Sequence, residues 1–384
     1  MMKIGRRTFL QSAAAMGVPT AILVASGAGS PAMAAAGIQA ELDNGIQAEV
    51  QREKAWAFFR SFYQAKDLGD AAGFASHFLN SDQTVYQDAI VGFNVVGYSA
   101  INSASFATGI INKVAAQLGA GRFSRVFHVT GDMRYGAIAE YVNLKDTLWG
   151  TNGFTILTMF DIDGGLIARD TDYWDSREFG ESDIVGPAVT TGVAFPLGAI
   201  HPGGQPRHSP PPAPPGAVAL ATGVTGRPSA SPEMLQFATK FHDALAHGSA
   251  DDISAFFTHD ATYVNPLIHQ GPVLYPNFNQ TLQLRGRDLI ARLLKETLQW
   301  LPDCRGSTII HVVGGASGGG FEWKAGGIHS YTGLDRTGLH GCTALDLFEN
   351  KIQRMSVKFD TFQMSGSYYE QIRTSLRYAG LVDQ

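Results

Sequence analysis

Aromatic residues recur at three- and four-residue spacing between positions 46 and 80: Phe58, Phe59, Phe62 and Tyr63, then Phe74 and Phe78, with Gly69 between the groups. That spacing puts apolar side chains on one helical face, so two helical pieces broken at Gly69 are expected. A short strand at Thr84 to Tyr86 and a helix over Ala100 to Leu118 follow. From Arg122 the period shortens to two, which predicts strands at Val126 to His128, Ala137 to Lys145, Phe154 to Ile162 and Leu166 to Trp174. Gly131-Asp132, Thr151-Asn152-Gly153 and Asp163-Gly164-Gly165 supply the turns. Helices followed by an antiparallel run define an α+β fold with the helices packed on one face of the sheet.

The same order then repeats. F-Y-Q-A-K-D-L-G-D-A from Phe62 returns as F-H-D-A-L-A-H-G-S-A from Phe241, and D-Q-T-V-Y to Tyr86 returns as D-A-T-Y to Tyr263. G-Y-S-A-I from Gly97, V-F-H-V to Val129 and I-A-R-D-T-D-Y-W-D to Asp175 return as G-R-D-L-I from Gly286, I-I-H-V to Val312 and I-Q-R-M-S-V-K-F-D to Asp360. A period of roughly 180 residues is too long for a solenoid and fits two tandem domains. They are expected at 46–185 and 232–380, joined by a Pro/Gly-rich spacer at 201–230 that contains Ser209-Pro210-Pro211-Pro212-Ala213-Pro214-Pro215.

In the second domain, helices are expected at Pro232 to His247, Asp251 to Phe257 and Arg287 to Trp300. Its strands are expected near Thr262-Tyr263, Thr308 to Val313, Gly327 to Leu334, Cys342 to Leu347 and Ile352 to Phe359. Two insertions set it apart, Gly271 to Leu282 and the glycine run Gly314 to Gly320. Because strand-like residues and no helix follow that run, it reads as a hairpin tip and not as a phosphate loop.

The 384 residues are 45% hydrophobic and 16% charged, with a formal charge of -5, enough apolar content for two cores. No basic run offers a nucleic-acid footprint or a polybasic membrane patch, which leaves small, apolar or neutral molecules as the expected partners. Arg6-Arg7, an Ala-rich stretch to Ala25 and the small-residue exit Ser30-Pro31-Ala32-Met33-Ala34 read as a twin-arginine export signal over 1–34, and hence as a periplasmic or secreted protein. Cys304 and Cys342 are the only cysteines, and their spacing leaves a disulfide and two thiols equally open.

The F-Y-x-A-x-x-x-G-D helix, the D-x-x-V-Y-x-D segment at Asp82 to Asp88, the G-x-x-A-I helix start and the ending D-G-G-L-I-A-R-D-T-D-Y-W-D resemble the SnoaL-like, nuclear transport factor 2-like superfamily. The resemblance covers nearly all of both domains. It implies a cone, in which a bent sheet wraps the N-terminal helices around an apolar cavity. The superfamily includes ketosteroid isomerase, scytalone dehydratase, limonene epoxide hydrolase, polyketide cyclases and binding modules without catalysis, so fold does not give function. The resemblance also implies that the two halves dimerise within the chain through their open sheet faces, or that the chain forms a homo-oligomer.

Asp172 stands where limonene epoxide hydrolase-like members carry one acid of an Arg-Asp-Asp set, but Glu140-Tyr141-Val142-Asn143 does not supply the other two. Asp170, Asp172 and Trp174 share one face of their strand, and an acid inside an apolar cone would titrate high enough for proton transfer. His128 and His311 occupy equivalent strand positions, and His311, His329 and Tyr331 resemble the histidine and tyrosine set of scytalone dehydratase. The candidate catalytic residues are therefore Asp172, His128, Asp88, Tyr86, His311 and His329, with Tyr63, Trp174, Tyr263 and Tyr331 binding substrate. His242 adds to the second polar set. No metal-binding or nucleophile motif occurs and no cofactor is expected. Acid–base elimination or isomerisation of a hydroxylated or carbonyl compound is expected, preferentially in the first domain, which keeps Asp88 and Asp172 where the second has Asn265 and Val357; the alternative is a non-catalytic small-ligand-binding protein whose two domains pair within the chain.

Overall fold

The computed structural model describes residues 31–89, 93–103, 124–147, 150–174, 221–265, 273–274, 284–300, 308–325 and 339–359. The chain divides into a leading unit, 1–47, and a main unit, 48–384, that holds both sheets.

The first half runs α1 (Pro31–Leu68), α2 (Ala71–Ala75), β1 (Val85–Asp88), β2 (Phe93–Val96), α3 (Tyr98–Ile101), β3 (Ser124–Asp132), β4 (Gly136–Thr147), β5 (Gly150–Asp163) and β6 (Leu166–Tyr173). Helix α1 begins upstream of the expected residue 46 and ends at Gly69, whose φ of +70° closes the last turn at little cost for a residue without Cβ. Asp70 then caps α2 by accepting the Gly73 N–H. The strand order is β2-β1-β6-β5-β4-β3. One expectation is corrected: the sheet is mixed, because β1 lies parallel to β6 with Tyr86 opposite Asp170 and Asp88 opposite Asp172.

The second half repeats the plan: α4 (Pro232–His247), α5 (Ala250–Ser254), β7 (Phe257–Val264), β8 (Val273–Leu274), β9 (Leu284–Arg285), α6 (Arg287–Trp300), β10 (Thr308–Gly315), β11 (Gly318–Ala325), β12 (Leu339–Phe348) and β13 (Lys351–Phe359). Its sheet runs β10-β11-β12-β13-β7-β9, while β8 joins the first sheet beside β5. The strand expected at Gly327 to Leu334 lies outside the described residues, and the partner of β10 is instead β11, built from the second part of the glycine run.

In each half the helices and one sheet face enclose a core. The first gathers Phe59, Phe62, Phe74, Phe78, Phe160 and Trp174, and the second Phe241, Phe257, Ile290, Phe321, Leu345 and Phe359. The opposite sheet faces pack on each other through Ile138, Leu157, Met159 and Tyr173 of the first cone and Val313, Cys342 and Ala344 of the second. Glycines permit that approach: a Cβ on Gly320 would meet Ile138, and one on Gly136 would lie 2.8 Å from the Val313 Cβ. The glycine run is thus a site of close backbone packing, in keeping with its reading as a hairpin.

Register matches between the two halves at the residues that meet. His128 pairs with Glu140 as His311 pairs with Glu322, and Asp161 pairs with Arg169 as Asp346 pairs with Arg354. All of these residues point into the seam between the sheets, where they bond across it.

Candidate active site

Strand alternation sorts β6 into two chemistries. Asp170 and Asp172, with Trp174 just beyond the strand, face the interior of the first cone, whereas Arg169 and Tyr173 face the seam. Asp172 accepts hydrogen bonds from the hydroxyls of Thr158 on β5, Tyr141 on β4 (3.4 Å) and Tyr86 on β1. Tyr63 of α1 donates to Thr158 at 3.2 Å, and Lys66, one turn later, donates to Tyr141 at 3.2 Å with its ammonium 4.8 Å from that ring. Trp174 donates its indole N–H to Asp88 at 2.8 Å. Five elements therefore converge on one network.

The electrostatics separate the two acids. Burial raises the Asp170 carboxyl well above the ordinary carboxylate range, and the neighbouring Asp172 raises it further. Burial also raises Asp172, but Lys66 and the hydrogen bonds from Thr158, Tyr141 and Tyr86 pull it back. Asp170 Oδ1 is buried without a hydrogen-bond partner. Both carboxyls therefore stand above the ordinary range, with burial the first cause in each. Burial and Asp172 together lift the Tyr63, Tyr86 and Tyr141 hydroxyls well above their usual value, so they remain donors at all moderate pH.

Two expected catalysts lie elsewhere. His128 Nε2 is 3.0 Å from Asp346 Oδ1, and His311 Nε2 is 2.6 Å from Asp161 Oδ1, both across the seam. The reason is a register shift between Val126 and His128 and an equivalent one between Ile309 and His311, which turns each histidine to the outer face. The structure therefore separates both from Asp172. His329, Tyr331 and Cys304 lie outside the described residues, so the question of the disulfide lies there too; Cys342 is buried in the seam.

Among the described residues, the second cone has no ionisable carboxyl or ammonium at the positions that form this network. Where the first cone has Tyr63, Lys66, Tyr86, Asp88, Asp170 and Asp172, the second has His242, Leu245, Tyr263, Asn265, Met355 and Val357. Tyr263 accepts from the Asn265 amide at 2.5 Å, and His242 packs edge-on to Phe321, its centroid 6.3 Å away. Sequence reasoning had Asp172, Asp88, Tyr86, Tyr63 and Trp174 but missed Lys66, Tyr141, Thr158 and Asp170. The replacement of Lys66 by Leu245 between the repeats was the available signal. Among the described residues, no group of His, Cys, Asp and Glu could hold a metal ion.

A mixed sheet packed on helices and present twice is compatible with the two tandem α+β domains that the sequence repeat leads one to expect. Similar solved structures include a SnoaL-like protein of unknown function from Burkholderia thailandensis (14% identity, 33% of this chain and 94% of that one, TM-score 0.25). A candidate polyketide cyclase from Xanthomonas campestris (21%, 33% and 95%, 0.26) and a candidate ketosteroid isomerase from Kribbella flavida (13%, 32% and 79%, 0.25) are also similar. No family model and no curated protein matches the chain.

Proposed function

We propose that the chain is an exported, cofactor-independent enzyme whose first cone performs acid–base chemistry on a small, largely apolar carbonyl or hydroxylated compound. One observation carries this reading: Asp172, buried in the cone, is held by three hydroxyl donors beside Asp170, whose carboxyl burial raises well above the ordinary range. Such a pair supplies a base and an acid within one apolar chamber. Asp172 takes a proton from the carbon next to the substrate carbonyl, the C–H electron pair forms the enolate C=C bond while the carbonyl π pair moves onto oxygen, and Asp170 or a tyrosine hydroxyl donates a hydrogen bond to that oxygen. Return of the proton from Asp172 to another carbon gives isomerisation; its delivery to a β-hydroxyl, which leaves as water as the carbonyl reforms, gives elimination. Three carboxyls against one ammonium disfavour anionic substrates.

The second cone, with Met355 and Val357 in place of the acids, serves as the intramolecular dimer partner of the first. The reading is tested by assaying the mature protein and its Asp172→Asn and Asp170→Asn variants against hydroxylated aromatic and steroidal ketones. Turnover that survives Asp172→Asn overturns it. Tight retention of a ligand that is never converted, by the unaltered protein, would instead favour a binding module. Export is tested by replacing Arg6-Arg7 with lysines and following the protein across the membrane.

A further inference from the structure

We infer that Glu322, supplied by the second cone, is a positioning residue for the acid pair of the first. Both its carboxylate oxygens lie 2.7 Å from Arg169 Nη2, and Tyr173 donates its hydroxyl to Glu322 Oε1 at 2.5 Å. Arg169 and Tyr173 bracket Asp170 and Asp172 along β6, on the opposite face of the same strand. One carboxylate from the partner cone thus grips the strand on both sides of the acids and balances the guanidinium nearest to them. Glu322 is only 2% exposed, so its charge is not screened by solvent.

The surroundings show why this grip is specific. On the seam side, Asp161 Oδ1 is 3.9 Å from Arg169 Nη1 and is itself bonded by His311. On the cone side, the acids face Lys66, Asp88 and the three buried tyrosines. The mirror-image contact, Arg354 to Glu140 at 2.7 and 2.6 Å, is equally close, but the strand it anchors presents Met355 and Val357 to its own cone. The same clamp therefore bears on ionisable groups in one direction only.

The inference rests on the proposed acid–base role, but its test needs no substrate, so the two can fail separately. In the full-length protein carrying 13C-labelled aspartate side chains, the titration of Asp170 and Asp172 is followed in the unaltered chain, in Glu322→Gln and in Asp346→Asn. Asp346→Asn removes the charge opposite His128, away from β6. Glu322→Gln leaves Arg169 unbalanced, and the midpoint of the pair falls by about half a pH unit or more, whereas Asp346→Asn leaves it in place. A merely structural role predicts equal losses of thermal stability in the two variants with no change in titration, and that result overturns the inference. If Glu322→Gln does not fold, Tyr173→Phe removes one bond to Glu322 without altering charge. It should displace the Asp172 carboxyl resonance, and an unmoved resonance again overturns the inference.

Discussion

Thr158 and Thr343 occupy one and the same position in the two cones, each facing the interior, and each spends its hydroxyl differently. Thr158 lies opposite Ala139 and Asp172, and donates to the Asp172 carboxylate. Thr343 lies opposite Phe321 and Val357, and accepts the Trp323 indole N–H at 3.1 Å. Without an acid at Val357, the hydroxyl has no anion to serve and closes a contact with an aromatic side chain instead. The acid and the use made of the threonine beside it therefore differ together between the two halves.

Asp172→Asn should keep the fold, because its side-chain oxygen can still accept from Thr158 and Tyr141, while removing the base. Turnover is expected to drop by about 100- to 10,000-fold, the usual worth of a positioned general base, with ligand affinity little changed. Steady-state kinetics beside direct binding measurements distinguish this from unfolding, and a loss of binding equal to the loss of rate would contradict the assignment.

Lys66→Leu copies the second cone. It removes the cation that pulls both acids down, so the Asp170–Asp172 pair should hold its proton to higher pH than in the parent chain. The aspartate carboxyl titration reports this directly. A midpoint that stays put would mean that Lys66 acts through packing on Tyr141 alone.

Stability should depend on pH in two opposite ways. Asp161, Glu140 and Asp346 are raised by burial, but their seam partners outweigh it and leave all three below the ordinary range. Their contribution is present above the unfolded value near about 4 and is lost as pH falls through the depressed folded values. Asp170 and Asp172 are raised, so they favour the fold when protonated, and that advantage fades as pH rises from about 4 through the raised values. Asp170→Asn should therefore flatten the alkaline limb of a plot of Tm against pH and leave the acid limb unchanged. An acid limb that also flattens would place the acid sensitivity inside the cone and not at the seam.

Arg354→Met leaves Glu140 buried and unpaired, at a cost of about 3–5 kcal/mol. The double change Arg354→Met with Glu140→Leu should recover much of that loss, because two apolar side chains replace a desolvated pair. Chemical denaturation of the two variants tests this, and equal destabilisation in both would show that the ion pair itself specifies how the sheets dock.

The elements were readable because period, turn residues and caps agree: α4 and α6 fall on their expected bounds, and Gly69 ends its helix as its position suggested. The inward acid of β6 was readable from alternation. His128 and His311 were not, since a single extra residue in each strand reverses the face, and a hydrophobic pattern interrupted by histidine does not reveal a bulge. Arg169 and Arg354 stood in plain view in the repeated strand, yet their pairing with glutamates of the opposite cone depends on how two sheets meet, which a local pattern does not encode. Lys66 was hidden for a related reason: on a helix surface a lysine one turn beyond an aromatic pair reads as solvated, and only the closure of β4 over it turns it inward.

The seam pairs are reciprocal, His128 to Asp346 as His311 to Asp161, and Arg169 to Glu322 as Arg354 to Glu140. In a dimer of identical subunits, every substitution is made twice, and an acid lost from one chamber is lost from both. Carrying both halves on one chain ends that constraint. The contacts that hold the halves together can stay matched while the chambers are edited separately, and one chamber becomes free to change without cost to the chemistry of the other.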